Sequence, residues 1–188
     1  MSGSDEAVMA DGIELLDAAR PVLAVGEPAI AAEQTPAVWQ MALWGGLGSF
    51  LAILLIQLLA RQIHLPLLLA PFGASCVLLF LASQAEFSQP RNLILGYGIG
   101  TATGFAAIWL FPGQWWTVAL AVGLTIALMR LSHSVHPPAG AQPIVIVLTM
   151  PGWKLLLPAL LLGVGLLLVT AWGFHRIVRH EVWPLRWL

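Results

Sequence analysis

Between Ala37 and His175 the chain carries one acid, Glu86, against four bases, Arg61, Arg91, Arg130 and Lys154. No other feature constrains the fold as much. A water-soluble domain is about 25% charged, whereas this chain is 9% charged and 59% hydrophobic. Such a stretch cannot clothe itself in polar surface and belongs in a bilayer. The remaining charge is segregated. Residues 1–36 hold seven acids and one arginine, and the end of the chain is basic, with Arg176, Arg179 and Arg186.

A spanning helix needs about 20 mostly apolar residues. Residues 38–60, 93–111, 115–131 and 155–175 meet or approach that length. Residues 65–82 are long enough but contain Pro66 and Pro71-Phe72-Gly73, and residues 139–150 are apolar but short. Both read as broken or re-entrant segments. Trp39, Trp115, Trp116, Trp153 and Trp172 fall near segment ends, as an interfacial aromatic belt does. Residues 5–20 have the spacing of an amphipathic helix, and 1–36 as a whole reads as an acidic arm. The first 30 residues lack a basic start followed by an apolar core, so the first span is expected to act as the insertion signal. Cys76, alone of its kind, lies in an apolar run and reads as buried.

The chain echoes itself. Arg61-Gln-Ile-His64 is matched by Arg130-Leu-Ser-His133, and Pro71-Phe-Gly-Ala-Ser75 by Pro138-Ala-Gly-Ala-Gln142. The order of features predicts two three-segment pseudo-repeats, 37–112 and 115–176, followed by a basic tail, 177–188. If the broken segments cross, the repeats are inverted, as in many transporters. The end bearing Arg91, Arg130, Arg176, Arg179 and Arg186 then outweighs the end bearing Arg61 and Lys154, which places both termini in the cytoplasm. Gly96, Gly100 and Gly104 share one helix face and predict close helix packing, and Gly45, Gly46 and Gly48 read likewise. Arg91 and Asn92 read as loop anchors.

Proline ends helices from within and starts them well. Pro137-Pro138 is therefore expected to stop the helix coming from Arg130 and to begin a half-helix near Ala139–Ala141. Pro71-Phe72-Gly73 does the same for the other repeat. Irregular backbone at membrane depth persists only where protein or a watery cavity surrounds it. Half-helix starts at Gly73-Ala74-Ser75 and Gly140-Ala141-Gln142 would aim free N–H groups and positive dipole ends at one midplane site. Ser75, Gln142 and His136 add side-chain donors, Arg61 and Arg130 add pathway charge, and no carboxylate is near. That chemistry suits a small anion. His133 and His136 have the spacing of a metal pair, but no Cys, Asp or Glu stands near to complete a site. No buried acid accompanies any Ser–His pair. Neither an enzyme, a metal, a cofactor nor a nucleic-acid partner is expected.

The blocks VHPPAGA, PFGASCVLLF and SQPRNLILG, in residues 40–175, resemble the HPP family of integral membrane proteins. The resemblance implies a four-helix membrane domain, and plant and cyanobacterial members are implicated in nitrite transport. Where relatives often continue His-Pro-Pro with Gly-Gly-Ala-Thr, this chain has Ala139 and Gln142 at two of the places. Residues and resemblance together predict an all-α membrane protein of a bacterial inner membrane. It would act as a transporter or channel for a small monovalent anion such as nitrite or nitrate, in contact with lipid and assembled as a homo-oligomer. A non-transporting scaffold or accessory subunit is the alternative.

Overall fold

The computed structural model describes residues 37–66 and 68–187. The acidic arm and its amphipathic stretch lie outside the described residues. Among the described residues every regular element is helical: α1 (Val38–Ile63), α2 (Pro71–Leu81), α3 (Pro90–Leu110), α4 (Thr117–Leu131), α5 (Gln142–Thr149) and α6 (Trp153–Gly173). A 3-10 turn, Pro137–Ala141, leads into α5, and a π-helical turn, Phe174–Arg179, extends α6. Among the described residues three helices are long and apolar enough to cross a membrane: α1, α3, and α6 with its π turn.

The stretch 65–82, read as a broken segment, is helical only from Pro71. Pro71 occupies the start of α2, where its missing N–H costs nothing. The helix packs back along α1, with Leu81 against Gly45 and Phe80 against Gly48. The chain therefore returns to the end where α1 began, its first part extended and its second part helical. Phe174 meets Trp44 with ring centroids 6.4 Å apart, which brings the end of α6 to that same end. Small residues make these approaches feasible, because little hydrophobic force drives helices together within lipid.

Helix α4 ends where its apolar segment ends, but the residue that stops it is not the expected Pro137. It stops at Leu131, well before Pro137, because His133 turns left-handed at φ 50° and the Ser134 amide bonds back to the Met129 carbonyl at 2.9 Å. This six-to-one bond is the Schellman stop. The Ser132 hydroxyl also bonds to the Leu128 carbonyl at 2.7 Å, loosening the last turn. Helix α1 closes in the same way: His64 has φ 54°, and the Leu65 amide reaches the Ala60 carbonyl at 3.2 Å. The two Arg-x-x-His tetrads are thus the same local device.

The glycine face of α3 supports the second broken segment. Gly96 lies against His136, Gly100 against Ala139 and Gln142, and Gly104 against Ile146. The contacts advance in step, so residues 136–146 run parallel to α3. At Gly100 a methyl group would stand 2.6 Å from the Ala139 carbonyl oxygen, a backbone atom that cannot swing aside. Gly100→Ala should cost about 1–3 kcal/mol by overpacking, read as a lower melting temperature in detergent. Gly98→Ala, two residues earlier with nothing within 4 Å, should instead hold or gain stability, since alanine is the better helix former.

Candidate functional site

The two breaks meet. Ser75, one turn into α2, has its Oγ 2.8 Å from His136 Nε2 and 2.9 Å from the Tyr97 hydroxyl of α3. His136 Nδ1 lies 2.7 Å from the Phe87 carbonyl oxygen. A carbonyl only accepts, so Nδ1 carries the proton and Nε2 is the acceptor in the neutral ring. The order follows: Tyr97 O–H donates to Ser75 Oγ, Ser75 O–H to His136 Nε2, and His136 Nδ1–H to Phe87. Ser75 and His136 are fully buried and Tyr97 is 1% exposed. Phe72 closes the group with its ring edge-on to Tyr97 at 5.4 Å.

The first turn of α3 and the loop before it fix His136 in this position. Arg91 donates to the carbonyls of Ser132 and His133, and Asn92 to those of Glu86 and Val135. Gln89 donates to the carbonyls of Ser83 and Ala85 and receives the amides of Leu185 and Arg186. The Gln-Pro-Arg-Asn block is therefore a clamp on backbone carbonyls, and it ties the end of the described chain beneath the junction.

Gln142 opens α5 and differs from its neighbours. It is fully buried, its Cβ faces Gly100, and among the described residues neither its amide oxygen nor its amide nitrogen has a hydrogen-bond partner. A buried primary amide brings two donors and an acceptor, and leaving them unmade costs about 1–3 kcal/mol each. Most buried polar groups in folded proteins are paired, so an unpaired amide at this depth needs a reason.

The other expected site residues are placed unevenly. Gly73 and Ala74 lie on the outward face of α2, while Gly140 and Ala141 are half-exposed. Arg61 and Arg130 are exposed at helix ends, Arg130 at the end that carries Arg91 and Arg61 at the far end of α1. His133 and His136 part company: one is an exposed helix stop and the other a buried hub. Tyr97 was not anticipated as a site residue. It is the chain's one tyrosine, set in the middle of a glycine-rich apolar helix, and that isolation was the available signal. An apolar groove of about 620 Å³ lies between α3 and α6, lined by residues that include Gly98, Thr101, Phe105, Leu157 and Leu161. It reaches Tyr97 and is distinct from the Ser75–His136 junction.

Comparison with known proteins agrees with this architecture. A family model described as HPP, transmembrane region, matches residues 34–184. Two curated relatives, both transmembrane proteins of Dictyostelium discoideum, are each 31% identical over 156 residues; the match covers 77% of this chain and 55% and 50% of theirs. The chain spans about half the length of these relatives. No solved structure matches it.

Proposed function

The chain belongs to the HPP transmembrane family, and from that premise we propose that it carries a small monovalent inorganic anion, of the size of nitrite or nitrate, across the membrane. The supporting observation is Gln142: an unpaired amide, fully buried at the start of a half-helix, beside the junction of the two broken segments. Unpaired donors held ready in a protein interior are what a ligand that sheds its water requires. Among the described residues no lysine or arginine is buried, and neither is a carboxylate, so the site repels no anion and attracts no cation.

In this proposal both broken segments cross, giving six passages in two inverted halves of three. The matching helix stops at His64 and His133 support that assignment. The end holding Arg91, Arg130, Arg176, Arg179 and Arg186 would face the cytoplasm of a bacterial cell by the positive-inside rule, with lipid and further copies of the chain as neighbours. Ser75, Tyr97 and His136 hold the breaks together and so position Gln142.

Proteoliposomes containing only this chain test the proposal. Nitrite placed outside should enter well above the rate in protein-free vesicles. Protein-loaded vesicles that match the bare ones would overturn transport and leave the chain a membrane scaffold or accessory subunit.

A further inference from the structure

The chemistry of Gln142 bears on what form of the solute it receives. Its Nε2 needs an acceptor and its Oε1 needs a donor, and the described residues supply neither. A bare anion has only acceptors. It would satisfy Nε2 and leave Oε1 as unpaired as before. It would also bring a full charge into a place that holds no cation, and an isolated buried charge is far costlier than a neutral polar group. The groups around the site offer little relief. On α3, Gly100 faces Gln142 and Tyr97 is the titratable residue, already donating to Ser75. In the second broken segment His136 has both ring nitrogens engaged. Helix α4 turns Thr125 inward, bonded to Thr103 and to the Ala121 carbonyl. Arg91 and Arg130 stand at the helix ends.

A protonated oxyacid, HA, meets both needs at once. Its O–H donates to Oε1 while its second oxygen accepts from Nε2, making two parallel bonds between neutral groups. We infer that Gln142 receives the conjugate acid of a small weak oxyacid rather than the bare anion, so that each anion crosses together with one proton. The inference rests on the transport reading above. The proton and anion join on one side, cross as HA and part on the other, with no net charge moved. It selects among substrates by acid strength: nitrous and formic acids form HA in water near neutrality in small but usable amounts, whereas nitric acid does not.

The test uses the intact chain in proteoliposomes with a pH dye inside and the voltage clamped by potassium and valinomycin. Nitrite and formate should enter faster than into protein-free vesicles, acidify the lumen by one proton per anion and ignore the imposed voltage. Nitrate should not enter above the protein-free rate. Entry of nitrate as fast as nitrite, or nitrite entry that follows voltage without acidification, would overturn the inference and leave transport standing. Absence of protein-dependent flux for all three anions would bring down the transport reading, and this inference with it.

Discussion

His136→Ala should be among the most damaging single substitutions in the bundle, lowering stability by about 3–5 kcal/mol, the range seen when a large buried ring is cut back to a methyl. Three losses coincide. The ring is fully buried and packs beside Tyr97 at 5.5 Å, so its removal leaves a cavity. The Phe87 carbonyl loses its donor and Ser75 loses its acceptor. The join between the two broken segments also goes, and no backbone ladder replaces it there. The measurement is thermal unfolding in detergent, with wild type alongside. Ser75→Ala supplies the second edge of a double-mutant cycle. If the hydroxyl acts through the imidazole, the two changes will be strongly non-additive, by about 0.5–3 kcal/mol. Additive effects would mean that the 2.8 Å contact contributes nothing and that the ring matters for its volume alone.

Much of the architecture was legible because it rests on covalent constraints. A proline cannot donate, so α2 begins at Pro71 and Pro137 opens the turn that leads into α5; α3 likewise begins at Pro90, ahead of the expected residue 93. A glycine admits a close neighbour, so the Gly96, Gly100 and Gly104 face received the second broken segment. The paired Arg-x-x-His tetrads were visible as text. Their meaning, a left-handed histidine closing each helix, was not, because glycine is the residue that ordinarily marks that conformation. The end of α4 falls at Leu131, where the apolar segment 115–131 ends, but its stop is His133 and not Pro137, the loudest breaker in the sequence.

The site was less legible, and the bilayer explains why. In water a buried helix face is apolar and the other polar, and the contrast reveals the inward side. In lipid both sides are apolar. Helix α2 buries Phe72, Ser75, Cys76 and Leu79 and shows Gly73, Ala74 and Val77 outward, yet its residue types vary little around the helix. Gly73 and Ala74 thus looked as suitable for a solute as Ser75. Nor could the sequence show that Ser75 and His136, 61 positions apart, would find each other. Ser75 of one broken segment and His136 of the other do touch, and a buried polar contact occupies their meeting point. An unpaired buried amide sits beside it, on Gln142.

Gln142→Met follows from that placement and should move stability and transport in opposite directions. Methionine has nearly the same length and volume and fills irregular space readily, so the contact with Gly100 can survive. What disappears is an amide whose donors and acceptor are unmet, and relieving a buried unsatisfied polar group is worth about 1–3 kcal/mol. The variant should melt higher than wild type in detergent. Nitrite flux in proteoliposomes should fall at least about tenfold, the equivalent of about 1.4 kcal/mol in barrier height. A residue retained at a cost to the fold is one held for another purpose, because destabilised positions in natural proteins gather where function needs them. A methionine variant that melts lower would show that the amide has a structural partner. One that melts higher yet transports nitrite as well as wild type would leave the buried amide with no role in the passage of the solute.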